Sequence, residues 1–166
     1  ADFTQEFAIP EEYENEKKCA YFPGSTIGNL EPDDAVMLLK NIRSLCENRA
    51  GDPSGGLLLG FDLVKEKSVL ELAYDDPHGV TARFNLNLLH RINRELGADF
   101  EVENFEHVAH YNETHSRIEI FIESAHEQEV SIGEERFQFS AGERIHTEYS
   151  HKYTMDSMSD LCAAAG

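Results

Sequence analysis

A strand–helix–strand pattern near the start of the chain constrains the fold most strongly. Residues 19–22 are an apolar run within a predicted strand over 18–22. Residues 32–47 repeat apolar side chains at steps of three and four, the spacing of a one-sided helix. Residues 57–61 are a second apolar run, which predicts a strand covered on both faces. A strand, a helix and a strand at this spacing predict a parallel βαβ unit with a right-handed crossover.

The second half of the chain changes period. Residues 68–73 and 80–96 predict helices, and from residue 105 onward apolar residues alternate with polar ones, as in antiparallel strands and hairpins. Residues 145–153 predict a last strand and residues 156–165 a last helix. We therefore expect an α/β part, roughly 1–66, that carries an appended α+β part, roughly 67–153.

Charge and cysteine usage exclude several classes of protein. The 166 residues include 32 acidic and 14 basic side chains, for a formal net charge of −18, which argues against nucleic-acid and anionic-membrane partners. Three widely spaced cysteines predict reduced thiols in a cytoplasmic protein, with Cys19 and Cys46 on apolar faces. We see no secretory signal and no apolar run long enough for a membrane span.

The turn after the first strand is the first candidate ligand site. It holds Gly24, Thr26, Gly28 and Asn29, and ligands of open α/β sheets bind at the carboxyl ends of such strands. Glycine lets a ligand approach the backbone closely, and an asparagine offers donors and an acceptor. The competing interpretation is an ordinary turn between a strand and a helix.

The last predicted strand carries the second candidate site. Glu148 and Ser150 share one face, about 7 Å apart along the strand, and this spacing can flank an imidazole ring. The competing interpretation is a polar outer face with a solvated Glu148. His146 and His151 lie on opposite faces of the strand without a further ligand at a typical spacing, so we expect no metal site.

Five stretches carry a resemblance to a known family. They are FPGSTIGN (22–29), YDD (74–76), GVTAxFN (79–85), NRELGADF (93–100) and TExSxK (147–152). Together they resemble the histidine-specific Nα-methyltransferases of ergothioneine biosynthesis, and the similarity covers nearly the whole chain in one order. The resemblance implies a partial Rossmann-like methyltransferase core (1–66), a substrate-binding α+β insertion (67–153) and the start of a returning core helix (154–166).

The resemblance also implies an activity and a cofactor. It points to an enzyme that trimethylates the α-amino group of L-histidine with S-adenosylmethionine and so forms hercynine. By position, Asp2 and Phe3 would border the adenine of the cofactor. Gly24 and Thr26 would line the reacting amine, as the catalytic residues.

The remaining implied roles concern the substrate. Asn29 and Tyr74 would hold the carboxylate of L-histidine, with Thr81 close by. Glu148 and Ser150 would hold the imidazole, the role that their spacing on the strand suggests independently. The physical chemistry is consistent, because methyl transfer to an amine depends mainly on holding a deprotonated nucleophile in line.

The family pattern extends beyond both ends of this sequence. In a full-length member, the glycine-rich cofactor loop lies upstream of Ala1 and the closing strands of the sheet follow Gly166. We therefore expect these 166 residues alone to bind the cofactor weakly or not at all, and to self-associate through open sheet edges. Two alternatives stay open: a methyltransferase of another amino acid or a thiol-histidine derivative, and a cofactor-free amino-acid-binding module.

Overall fold

A computed structural model describes residues 9–13, 15–47 and 55–166, which form a mixed α/β structure. Its helices are α1 (Pro32–Cys46), α2 (Lys67–Tyr74), α3 (Val80–Leu96) and α4 (Met155–Ala165). Its strands are β1 (Cys19–Phe22), β2 (Gly56–Leu59), β3 (Phe105–Asn112), β4 (Arg117–Ser124), β5 (Gln128–Ile132), β6 (Glu135–Phe139) and β7 (Arg144–His151). The chain divides into two compact units. The first is Ala1–Val64 with Ser150–Gly166, and the second is Lys65–Tyr149.

The first unit contains the predicted parallel strand pair. β1 pairs with β2 in parallel, from Cys19 opposite Gly56 to Phe22 opposite Leu59, as the strand–helix–strand pattern predicts. Helix α1 begins at Pro32, where a proline loses no helical hydrogen bond. Its buried face packs with α4 and with the inner side chains of both strands. The parallel pairing is therefore confirmed.

The prediction that β2 is covered on both faces is wrong for the described residues. Leu58 is 61% exposed, whereas Leu57 and Leu59 pack against the core of the first unit. The reason is that α1 and α4 contribute to the same core cluster and cover one face only. Cys19 is exposed on β1, contrary to expectation, while Cys46 is buried with its Sγ 3.3 Å from the carbonyl oxygen of Gly56.

The second unit is built on helix α3, which has the predicted bounds but a different buried face. Phe84 is 75% exposed. The sequence predicts instead that it belongs to a buried apolar stripe with a spacing of four, formed by Val80, Phe84, Leu88, Ile92 and Leu96. Such a stripe drifts by about 40° at each step around a helix of 3.6 residues per turn, so it cannot stay on one face. The buried face instead carries Asn85 and Leu89, and Leu89 packs into the main core cluster of this unit.

Antiparallel strands complete the second unit. β3 pairs with β4 along their whole length in a sheet of order β3–β4–β7, and β5 pairs with β6 in a hairpin. Ile118, Ile120 and Ile122 are buried on β4, which confirms the predicted alternation. Gly133 turns the β5–β6 hairpin with a φ of 60°, a conformation that glycine adopts at no steric cost.

Helix α4 begins at a capping box that links Thr154 and Ser157. The Thr154 hydroxyl accepts from the Ser157 amide, and the Ser157 side chain accepts from the Thr154 amide. Two orphan donors at the start of the helix are satisfied in this way. As for membrane spans, no helix within the described ranges has the length and apolarity to cross a bilayer.

Candidate functional site

A cavity of about 230 Å³ in the second unit brings three of the predicted substrate residues together. Tyr74, Thr81 and Glu148 all line it. The other lining residues are Ala73, Phe84, Asn85 and Ile120. Polar groups that converge on a partly apolar cavity are typical of small-molecule sites. The cavity is thus a candidate site for a small molecule.

Tyr74 is fixed by its position at the end of α2. It packs on a core cluster that includes Leu70 and Ile120. Its carbonyl oxygen lies 2.8 Å from His107 Nε2. The last carbonyls of a helix need such external donors. The end of α2 is therefore anchored to strand β3.

Asp76 positions Thr81 at the start of α3. Its carboxylate accepts from the backbone amides of Thr81 (2.8 Å) and Val80 (3.0 Å). These hydrogen bonds lower the pKa of Asp76 to about 2, because they favour the ionised carboxylate. Asp76 thus satisfies two of the orphan donors at this helix start, as an N-cap side chain does.

Asn85 and His107 form a polar link behind the cavity. The Asn85 side-chain amide donates to the carbonyl oxygen of Phe121, and its Nδ2 also lies 3.0 Å from His107 Nδ1. Because an amide nitrogen can only donate, Nδ1 of His107 accepts and its Nε2 carries the hydrogen that the Tyr74 carbonyl accepts. Sequence reasoning missed both residues. The available signal was a polar residue, Asn85, four positions before the apolar Leu89.

Glu148 reaches the cavity from the middle of β7. It is partly buried, and its neighbours in sequence make contacts that hold the strand. Thr147 donates to the carbonyl oxygen of Ile120 at 3.1 Å, and the guanidinium of Arg117 lies 3.6 Å from the centre of the Tyr149 ring. Glu148 therefore supplies a carboxylate at a well-supported position of the cavity wall.

The glycine-containing turn in the first unit is held by side-chain and backbone contacts. Ser25 adopts a left-handed conformation with a φ of 59°, and its Oγ accepts from the Asp62 amide at 2.9 Å. Gly28 is buried against His151, whose Nδ1 lies 2.9 Å from the Gly28 carbonyl oxygen. A Cβ at Gly28 would lie only 2.8 Å from the His151 carbonyl oxygen. This position therefore needs glycine for packing.

The predicted catalytic residues lie in the open part of this turn. Gly24 is exposed with a φ of 78°, and a Cβ added there would meet only Thr26 Oγ1, at 4.0 Å. Thr26 is half-buried and begins a short 3₁₀ helix that ends at the exposed Asn29. The backbone at Gly24 is thus accessible to a small ligand, at the carboxyl end of β1.

Ser150 lies in a buried polar cluster of the first unit. It is 4% exposed, and its Oγ is 2.6 Å from the Nζ of Lys152. The Lys152 side chain is 0% exposed and its Nζ is 3.5 Å from Asp62 Oδ2. A cation buried in this way depends on its partners. Lys152 belongs to one of the stretches that carry the resemblance, but sequence reasoning gave it no role.

Four of the predicted site residues lie outside the described structure or are divided between the two units. Asp2 and Phe3, the proposed cofactor contacts, lie outside the described residues. Glu148 belongs to the second unit and Ser150 to the first, although both are on β7. Residues 9–13, 15–47 and 55–166 contain no group of three or more His, Cys, Asp or Glu side chains that could hold a metal ion.

Comparisons with known proteins place the chain among methyltransferases. It is 44% identical to a histidine N-alpha-methyltransferase of Mycobacterium tuberculosis (strain CDC 1551 / Oshkosh). The 147 aligned residues cover 87% of the chain and 44% of that relative. A histidine N-alpha-methyltransferase of Mycolicibacterium smegmatis (strain ATCC 700084 / mc(2)155) is 40% identical, with 90% of the chain and 46% of the relative covered.

The chain is also similar to a methyltransferase that is named for another amino acid. An L-tryptophan methyltransferase of Psilocybe serbica is 31% identical over 87% of the chain and 40% of its own length. The chain thus spans less than half the length of these three relatives. The model of the family described as "Histidine-specific methyltransferase, SAM-dependent" matches residues 1–166, and the chain belongs to this family.

Proposed function

We propose that the protein methylates the α-amino group of L-histidine with S-adenosylmethionine and forms hercynine, a step of ergothioneine biosynthesis. The observation that carries this proposal is the cavity of the second unit, because it joins a tyrosine, a threonine and a partly buried carboxylate. An ionised carboxylate accepts hydrogen bonds only. Glu148 therefore favours a ligand with an N–H group in its ring, and imidazole has one.

The proposed roles follow the chemistry of methyl transfer. When bound, S-adenosylmethionine supplies an activated methyl group on a sulfonium, and the resemblance assigns Asp2 and Phe3 to its adenine. Gly24 and Thr26 hold the reacting amine, where the open backbone at Gly24 leaves room for a ligand. Rate enhancement then comes mainly from positioning the amine as a nucleophile.

The substrate roles divide between carboxylate and ring. Asn29 and Tyr74 bind the α-carboxylate, and Thr81 lies in the same cavity as Tyr74. Glu148 and Ser150 bind the imidazole, one as an acceptor and the other as a hydroxyl that can donate to a ring nitrogen. A side chain without ring N–H groups would leave the Glu148 carboxylate unpaired and bind more weakly.

The proposal also assigns the two units to parts of a methyltransferase fold. The parallel pair β1–β2 with α1 is part of a Rossmann-like methyltransferase core, and α4 is the start of a helix that returns to it. The unit Lys65–Tyr149 contains most of the substrate-binding insertion, which the resemblance assigns to residues 67–153. This assignment agrees with the position of the proposed ring and carboxylate contacts Tyr74, Thr81 and Glu148 in that unit.

A second candidate function is methylation of another aromatic amino acid, since one relative is named an L-tryptophan methyltransferase. Indole has one N–H group and no acceptor nitrogen, so it can satisfy Glu148 but gives the Ser150 hydroxyl no ring acceptor. Imidazole can satisfy both. The pair of Glu148 and Ser150 therefore favours L-histidine over L-tryptophan.

The test is a competition assay with the complete natural protein. L-histidine and L-tryptophan are supplied together with S-adenosylmethionine, and N-methylated products are identified by mass spectrometry. We expect trimethylated histidine and little methylated tryptophan. Preferential methylation of tryptophan would support the second candidate. Calorimetric histidine binding without any turnover would instead indicate a cofactor-free binding module.

A further inference from the structure

Asn85 is a buried polar residue on the wall of the cavity in the second unit. Its exposed fraction is 8%, and it lines the cavity together with Tyr74, Thr81 and Glu148. It lies on the buried face of α3, beside the apolar core residue Leu89. A polar side chain in such a place needs hydrogen-bond partners.

The nitrogen of the Asn85 side chain is fully used within the protein. Nδ2 donates to the carbonyl oxygen of Phe121 and to His107 Nδ1, each at 3.0 Å. The Tyr74 carbonyl oxygen lies 2.8 Å from His107 Nε2 and accepts its hydrogen, which favours the tautomer of His107 with an unprotonated Nδ1. The two contacts therefore fix which end of the amide is nitrogen and which is oxygen.

The oxygen of the same amide, Oδ1, takes part in neither of these hydrogen bonds. Among the described residues, none donates a hydrogen bond to Oδ1 of Asn85. A buried acceptor without a donor costs free energy, which a donor from a ligand in the cavity would recover. The cavity already holds a second acceptor, the carboxylate of Glu148. Two acceptors on its walls match a ligand with N–H donors.

We infer that Asn85 is a substrate-binding residue whose Oδ1 accepts a hydrogen bond from an N–H group of the amino-acid substrate. His107 is the positioning residue that orients the amide. This inference rests on the proposed function, and it adds a contact to the substrate residues named above. L-histidine carries two kinds of N–H group, the α-amine and the imidazole ring, and the experiment separates them.

The experiment measures binding of L-histidine to the complete natural protein by calorimetry. Asn85→Ala removes the acceptor, and Asn85→Leu removes it while keeping more of the side-chain volume. Asn93→Ala is the matched control, because Asn93 lies two turns later on α3 and both of its amide atoms bind the backbone of Phe100. We expect about a tenfold loss of affinity for each Asn85 variant and less than about a twofold change for Asn93→Ala.

The same measurement with imidazolepropionate, which lacks the α-amine, identifies the donor. If the effect of Asn85→Ala disappears with this ligand, Oδ1 binds the amine, and if it persists, Oδ1 binds the ring. Thermal unfolding of every variant establishes that it is folded. Equal affinity in wild type and both Asn85 variants would overturn the inference, and so would an equal loss in Asn93→Ala. Wild-type protein that does not bind histidine would overturn the proposed function itself.

Discussion

The ammonium nitrogen of Lys152 lies 2.6 Å from Ser150 Oγ, inside a cluster where the Lys152 side chain has no contact with solvent. An ammonium can only donate, so Oγ of Ser150 accepts and its hydroxyl hydrogen points away from Lys152. Because Lys152 donates to Oγ, the Ser150 hydroxyl can direct its own hydrogen bond only to an acceptor elsewhere. In the proposed function, such an acceptor is an unprotonated nitrogen of the imidazole ring.

The Lys152–Asp62 pair predicts unequal effects of removing its two members. Asp62→Ala leaves a fully buried ammonium without its carboxylate, and we expect unfolding free energy to fall by about 3 kcal/mol. Lys152→Met removes the buried charge and leaves the partly exposed Asp62 to water, at a cost of about 1 kcal/mol. Urea denaturation measures both. A larger loss for Lys152→Met than for Asp62→Ala would contradict this account.

Gly28→Ala should disturb the turn of the first unit. The added methyl group would meet the carbonyl oxygen of His151 at 2.8 Å, and backbone atoms cannot move aside as a side chain can. We expect a loss of about 2 kcal/mol in unfolding free energy, the usual range for overpacking. Gly56→Ala is the control, since no atom lies within 4 Å of its added Cβ. The prediction fails if both variants are equally stable.

Glu148→Gln tests the proposed recognition of the ring. The substitution keeps the shape of the side chain in the cavity but replaces a charged acceptor with a neutral amide, and hydrogen bonds to charged groups are about twice as strong. We expect histidine affinity to fall by about tenfold in a calorimetric titration. Glu123→Gln on the neighbouring strand removes a carboxylate that pairs with Arg144 at 2.6 Å. A similar loss in this control would indicate a general effect of charge.

Asp76 predicts an acid-dependent contribution to stability. Hydrogen bonds from the amides of Thr81 and Val80 lower its pKa from 3.8 to about 2 in the folded chain. Folding therefore gains stability from the ionised carboxylate above about pH 4, and loses it as the pH falls towards about 2. Asp76→Asn should be less stable than wild type at pH 5, with a difference that shrinks between about pH 4 and 2.

Thermal unfolding midpoints between pH 5 and pH 2 test the Asp76 prediction. The neighbouring Asp75→Asn is the control, because no described residue donates a hydrogen bond to the Asp75 side chain. A difference between wild type and Asp76→Asn that stays constant over this range would show that the carboxylate contributes no linked stability.

Local patterns in the sequence predicted the secondary structure well. The spacing of apolar residues gave helix α3 its observed bounds, and the alternation at Ile118, Ile120 and Ile122 gave strand β4. The buried face of α3 was harder, because Phe84 and Asn85 are adjacent and only the packing of β3 and β4 decides which one turns inward. The exposure of Leu58 likewise depends on which helices cover the sheet.

The candidate site was only partly predictable for a similar reason. Strand periodicity places Glu148 and Ser150 on one face, whereas the substrate-binding roles of Tyr74 and Thr81 come from the resemblance. Asn85 and His107 were missed because their partners lie far along the chain: they are 22 residues apart, and His107 is 33 residues from Tyr74. Lys152 was missed because a lysine is normally exposed, and only the fold reveals that its side chain is buried.

The three cysteines differ in exposure, so their rates of reaction with a thiol reagent would report on local opening of the first unit. A bulky thiol-reactive dye would label the exposed Cys19 and Cys162 within its ordinary reaction time. Cys46 is largely buried with its Sγ against the Gly56 carbonyl oxygen of β2, so it would react more slowly, chiefly when α1 lifts away from that strand. The slow phase of labelling would thus time a local opening of the first unit, without any engineered probe.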